Sequence, residues 1–131
     1  EQKIFTTIDA YISGSLDDGL LQITGKPSQG ISLQDAESAI WKELERLKTV
    51  PVEETELEKV KNRYESEQIF NNLNYLNVAT NLAYFELIGQ AEDINKEVEK
   101  YRAVTAGQIQ KAARQTFVPE NCSILYYLAE Q

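Results

Sequence analysis

Apolar residues along this chain change period several times, and each change marks an element. Ile4, Ile8, Ala10 and Ile12 fall on one face with threonine, aspartate and tyrosine interleaved, the two-residue period of a half-buried strand. Gly14, Ser15, Asp17, Asp18 and Gly19 form a turn-rich run, after which Leu20 to Lys26 resumes an extended pattern that stops at Pro27. The two runs predict a hairpin. From Leu33 the spacing lengthens to three or four: Leu33, Ala36, Ile40, Leu44 and Leu47 share one helical face, and Glu43, Glu45 and Arg46 turn to water. Ser32 and Asp35 supply the start, a hydroxyl for an orphan N–H and a carboxylate at the positive helix end.

Pro51 separates this helix from the next, whose first turn carries Glu53, Glu54 and Glu56. The spacing places Leu57, Val60 and Tyr64 inward, with Glu56–Lys59 and Glu58–Lys61 pairs on the wet side. Asn71, Asn72 and Asn74 compete for the backbone and predict a break or kink there. Leu73, Leu76, Thr80, Ala83 and Leu87 then restore a helical face as far as Gly89, a candidate C-terminal glycine. A shorter helix with Ile94, Val98 and Tyr101 follows. Thr105 and Gln108 form a capping box that opens a helix with Ile109, Ala112, Ala113 and Phe117 inward, ended by Pro119 and Asn121. The final run, Cys122 to Ala129, is rich in strand formers and apolar on both faces, which predicts an interior strand. Strand, strand, several helices, strand is an α+β pattern: an antiparallel sheet with helices packed on one face.

Composition narrows the chemistry. At 131 residues, 42% hydrophobic and 26% charged, the chain has the size and apolar content of one globular domain, residues 1–131. It contains no histidine, the usual general base near neutral pH, the orienting partner of serine and cysteine nucleophiles, and the commonest metal ligand. Its single cysteine, Cys122, has no partner for a disulfide or a familiar zinc cluster, and reads as a small buried hydrophobe. A net charge of −8 opposes binding to nucleic acid or to an anionic membrane surface, and no stretch is apolar for long enough to span a bilayer.

The remaining candidates have ordinary structural readings. Asp17 and Asp18 sit in a Gly-Ser-Leu-Asp-Asp-Gly context and read as turn residues before they read as an acid–base pair or a cation site. Lys111 and Arg114 fit the wet face of one helical turn. Trp41, Tyr126 and Tyr127 are candidates for lining a peptide groove, with core packing the more frequent role of such rings. There is no phosphate-cradling glycine loop. No catalytic residue and no metal ligand is assigned to this chain.

The order of several short segments carries a family resemblance. Gly19–Pro27 (GLLQITGKP), Val52–Lys61 (VEETELEKVK), Asn81–Gly89 (NLAYFELIG), the Val104-Thr105 helix start and Phe117–Asn121 (FVPEN) follow one another over nearly the whole chain. The set resembles the M16 zinc metallopeptidases, the insulinase and pitrilysin type, in the later part of the C-terminal type of domain that carries no metal. In that family zinc is held by an inverted His-x-x-Glu-His motif plus a distal glutamate. The resemblance implies that this chain, which lacks the motif, is inactive by itself and binds no cofactor, with zinc held by a catalytic M16 domain of the parent or a partner chain.

The resemblance further implies a non-catalytic domain that closes over a peptide substrate, within an M16-type zinc metalloendopeptidase and in a periplasmic compartment. The alternative it allows is a catalytically dead scaffold or assembly subunit of the same family; an unrelated binding module is a third reading. Family members present an arginine and, seven residues later, a tyrosine to the substrate; Phe5 stands at the tyrosine position, so Phe5 is the one candidate substrate contact. A full domain of the family begins further upstream, so the resemblance implies an incomplete domain that packs against its other half or forms a homodimer.

Overall fold

The computed structural model describes residues 3–14, 16–17 and 19–128. Two antiparallel strands and five α-helices follow in the order β1 (Phe5–Ile12), β2 (Leu21–Pro27), α1 (Leu33–Thr49), α2 (Glu54–Asn71), α3 (Tyr75–Ile88), a 3-10 turn (Ala91–Lys96), α4 (Glu97–Arg102), α5 (Ala106–Thr116) and a 3-10 turn (Pro119–Asn121). The α+β class read from the sequence is borne out. The chain forms two compact units, Glu1–Thr49 with Ala113–Gln131, and Val50–Ala112.

In the first unit β1 and β2 pair in antiparallel register, Ile12 opposite Leu21, Ala10 opposite Ile23 and Ile8 opposite Gly25, with an irregularity between Phe5 and Thr7. Ile8, Ala10 and Ile12 therefore share a face with Leu21 and Ile23, as the alternation predicted. Of these five, Ile23 alone is half-buried. Ile8 and Ile12 remain exposed, so the half-buried strand expected at Ile4–Ile12 has the right face and little over it. Ser13 and Leu20 close the connection through their main chains (3.0 Å), and a Cβ at Gly19 would lie 2.0 Å from the Ser13 carbonyl oxygen, so the connection needs glycine there. Gly30, at φ +82°, takes the third place of the Ser28–Ile31 turn that leads into α1.

α1 starts as predicted: the Asp35 N–H donates to Ser32 Oγ (3.0 Å), and that hydroxyl donates to the Asp35 carboxylate (2.6 Å). Ala36 is buried, Leu33, Ile40, Leu44 and Leu47 are half-buried, and Glu43, Glu45 and Arg46 are exposed. Arg114 Nε donates to the Lys48 carbonyl (2.8 Å) while Lys48 Nζ donates to the Phe117 carbonyl (3.2 Å), so the ends of α1 and α5 hold each other by reciprocal side-chain to main-chain bonds. Arg114 is thus a structural tie. Ala113 is buried and Ile109 and Phe117 half-buried as expected, whereas Ala112, also expected inward, is exposed one residue off the covered stripe.

Two further expectations fail in this unit. Residues 122–128 form no strand: Cys122 is extended (φ −128°, ψ 138°), but none of the described residues pairs with this run in a ladder. Cys122, expected buried, is exposed for the same reason, because no neighbouring strand covers it.

In the second unit α2 and α3 are separate helices. Asn74 caps α3 by accepting from the Leu76 N–H (2.9 Å), which accounts for the break predicted at the asparagines. The face assigned to α2 is partly wrong: Leu57 is buried and Tyr64 half-buried, but Val60 is 59% exposed. What α2 presents to α4 is a polar stripe. Arg102 reaches Glu58 (Nη1, 2.9 Å), Asn62 (Nη2, 2.8 Å) and Glu65 (Nε, 3.0 Å), residues one helical turn apart, and Tyr101 stacks on Tyr64 with centroids 3.6 Å apart. Glu58, expected to pair with Lys61, is held by Arg102 instead. Burial of the Tyr64 ring, and then the neighbouring Tyr101 and Glu97, push its hydroxyl pKa up to about 12.

α3 departs further. Its expected inner residues Leu73, Leu76 and Leu87 are about 70% exposed, and Val78, Asn81 and Phe85 are the half-buried ones. The helix is apolar on all sides, so periodicity had no contrast with which to choose a face. It ends at Ile88 as predicted, with Gly89 extended (φ −179°) and not in the left-handed conformation of a typical C-terminal glycine. The Ile94–Tyr101 segment, read as one short helix, is a 3-10 turn followed by α4. The capping box of α5 is reciprocal: Gln108 Oε1 accepts from the Thr105 N–H (2.8 Å) and Thr105 Oγ1 accepts from the Gln108 N–H (3.3 Å).

Candidate functional site

A groove of about 400 Å³ lies in the first unit. Its walls follow from the elements just described. Leu21, Ile23, Gly25 and Pro27 are alternate residues of β2 and point to one side; Leu33, Ala36, Ile40, Trp41 and Leu44 come from the covered stripe of α1; Phe117, Cys122, Ile124 and Tyr126 close it from the far end of the chain. β1 contributes Phe5 alone. The groove therefore runs beside β2, between that strand and the residues from Cys122 to Tyr126.

Glu37 is the only charged residue lining it among the described residues. Its carboxylate accepts from the Trp41 indole N–H (3.1 Å) and from the Tyr126 hydroxyl, so one acid on α1 anchors both an aromatic of the floor and an aromatic of the wall. The hydrogen bond to Glu37, and then loss of hydration, raise the Tyr126 pKa above the usual tyrosine value. The acid is engaged twice, by the Trp41 indole and the Tyr126 hydroxyl, which makes it an anchor for the two rings.

The residues singled out in the sequence separate here. Phe5, Trp41 and Tyr126 line the groove, while Tyr127, 89% exposed, lies outside it. The Phe5 ring lies against Gly25, where an added Cβ would be 2.8 Å from Phe5 Cε1; the ring fills the place a side chain would take. Arg114 is bonded to α1, Lys111 is exposed, Asp17 is not a free carboxylate, and Asp18 lies outside the described residues. Sequence reasoning missed Glu37. The Glu37–Trp41 spacing of four, which puts acid and indole on one helix face, was the available signal.

Metal chemistry finds no donor set. Among the described residues no group of three or more histidine, cysteine, aspartate or glutamate side chains converges to hold an ion, and Cys122 is alone in the groove wall. The described residues offer no site for zinc, which the family resemblance places in a separate catalytic domain. No helix of the described residues is long and apolar enough to cross a membrane.

No protein-family profile matches the chain, and no curated protein matches it. Solved structures do. The "putative zinc protease" of Bordetella pertussis Tohama I superposes with a TM-score of 0.82 at 18% identity, over 97% of this chain and 70% of that one. The "Inactive Peptidase Domain of a Putative Zinc Protease" from Bordetella parapertussis gives a TM-score of 0.82 at 18% identity, over 98% of this chain and 70% of that one. A protease from Helicobacter pylori gives 0.76 at 15% identity, over 86% of this chain and 27% of that longer chain. The chain has the fold of these zinc protease structures, which bears out the resemblance read from its segments at the level of fold.

Proposed function

We propose that this chain is a non-catalytic, substrate-enclosing domain of an M16-like zinc peptidase, acting with a zinc-bearing catalytic domain of the same parent or of a partner chain. The observation that carries the reading is the conjunction of a zinc protease fold over 97% of the chain with a sequence that has no histidine. The fold is that of a peptidase component; the side chains cannot hold the metal or activate water. What remains is a surface role. An apolar groove and aromatic side chains suit contact with peptide, and Phe5, at the groove wall, is the proposed contact.

The test is reconstitution. A zinc-loaded catalytic chain bearing the inverted zinc motif, from the same source, is assayed on a fluorogenic peptide while this chain is titrated in. A saturable rise in hydrolysis supports the substrate-enclosing role. Binding without any change in hydrolysis supports the scaffold alternative, and absence of both binding and activation refutes the peptidase reading. Calorimetry on this chain alone is expected to give no tight, stoichiometric zinc site.

A further inference from the structure

We propose that the outward face of α3 is a self-association surface, taken by the α3 of a second copy of this chain running antiparallel to it. Leu76, Thr80, Ala83 and Leu87 follow one another at spacings of four, three and four, which sets them within about 60° of one another around the helix. Val78, Asn81 and Phe85, the half-buried residues of α3, fall on the opposite side. Leu76 and Leu87 are 73% and 69% exposed, and Thr80 and Ala83 are exposed between them. Among the described residues nothing covers this stripe. Tyr75, Tyr84 and Ile88, exposed as well, widen it into an apolar patch of the kind that marks an interface.

The pattern selects the occupant. Large, small, small, large reads the same in either chain direction, so a two-fold axis between residues 81 and 82 sets Leu76 of one copy against Leu87 of the other, and Thr80 against Ala83. Such self-complementarity is what an isologous pair requires. The two small central residues let the main chains approach. Thr80 brings no unsatisfied donor to the contact, because its hydroxyl donates to the Leu76 carbonyl of its own helix (2.9 Å).

Charge sets the direction. From Gln68 to Phe85 the sequence has no charged residue, and Glu86 is the only one in α3. In a parallel pair the two Glu86 carboxylates would lie side by side. Antiparallel, they stand nine positions apart along the axis, about 13 Å, beyond the screening length of about 8 Å at physiological salt. The net charge of −8 on each copy opposes encounter at long range but meets no like charge within the stripe. Pairing of this kind needs no catalytic partner, so it stands or falls apart from the peptidase reading.

Sedimentation equilibrium of the chain over about a hundredfold range of concentration is expected to show a monomer–dimer equilibrium that strengthens as salt is raised, because salt screens the repulsion of −8 against −8. Leu76→Asp and Leu87→Asp should each weaken it about tenfold or more, by setting a carboxylate against the partner's leucine. Leu125→Asp, at a residue 90% exposed in the first unit, should leave it unchanged. All three positions are exposed, and circular dichroism confirms the fold of each variant. Direction is read by disulfide trapping in a Cys122→Ser background: helix axes about 8–10 Å apart bring facing Cα atoms to about 3.4–5.4 Å, which overlaps the disulfide range. A mixture of Thr80→Cys and Ala83→Cys chains should cross-link faster than either variant alone. A monomer at every concentration, a dimer unmoved by Leu76→Asp, or weakening by salt would overturn the proposal. Fastest cross-linking of Thr80→Cys with itself would overturn the antiparallel direction.

Discussion

Leu57→Ala tests the packing of the second unit where it is most exposed to error. Leu57 is the one buried residue of α2, 5% accessible, and it sits two turns before Tyr64, whose ring is stacked on Tyr101. The substitution removes three carbons from a site that excludes water, worth about 2.4 kcal/mol at about 0.8 per methylene, before any cavity contribution. The helix around it is thinly covered, so the site can partly collapse and the cavity contribution should be small. A loss of about 2–3 kcal/mol is expected, at the low end of the range for such truncations. Val60→Ala, one turn on at 59% exposure, should cost less than about 0.5 kcal/mol. The assay is urea denaturation of the whole chain by circular dichroism, with fluorescence as a second probe to establish whether the two units melt together. Equal effects from the two substitutions, or a loss below about 1 kcal/mol for Leu57→Ala with an unchanged slope, would refute the assigned burial.

Gly25→Ala should destabilise the first unit by about 1–2 kcal/mol, since the new methyl meets the Phe5 ring at 2.8 Å; Phe5→Ala in the same chain should relieve most of that loss in thermal melts, and an additive double variant would contradict the contact. Arg102→Lys should not rescue Arg102→Ala, because one ammonium cannot reach Glu58, Asn62 and Glu65 together; amide exchange over residues 97–102 is the readout, and full protection with lysine would sink the clasp. Tyr64 is held neutral by its surroundings, its pKa raised from 10.0 to about 12, so its contribution is complete below pH 10 and is lost as pH rises towards 12. Alkaline titration followed by tyrosinate absorbance should therefore show one late-ionising tyrosine, absent in Tyr64→Phe, and the variant should resist the alkaline loss of stability.

Elements whose signal is local were legible in advance. Ser32–Asp35 and Thr105–Gln108 start helices because their own side chains satisfy the first N–H groups, and the α1 stripe from Leu33 to Leu47 contrasts sharply with Glu43, Glu45 and Arg46. Elements whose orientation depends on a neighbour were not. α3 is apolar all round, so nothing in its sequence separates Leu76, which is exposed, from Phe85, which is half-buried. Val60 was misassigned because α2 meets α4 through Arg102 and three polar side chains, a contact invisible to a search for apolar periodicity. Residues 122–128 carry strand chemistry, but a strand exists only with a paired backbone, and composition does not supply the pair. The groove was half legible: Phe5, Trp41 and Tyr126 were noticed singly, and only the fold brings them around Glu37.

The reciprocal bonds between Lys48 and the Arg114–Phe117 segment join residues 66 and 69 positions apart. Everything from Val50 to Ala112 is thus an excursion between two halves of the first unit. During vectorial synthesis the excursion emerges, and can complete its mostly local helical contacts, before Arg114 exists to tie α1 down. Finishing the groove-bearing unit then waits for the residues after Ala112 and bears the cost of closing a long loop. Because that cost rises by only about 0.6 kcal/mol for each doubling of loop length, the excursion can lengthen or shorten between descendants while the groove keeps its walls.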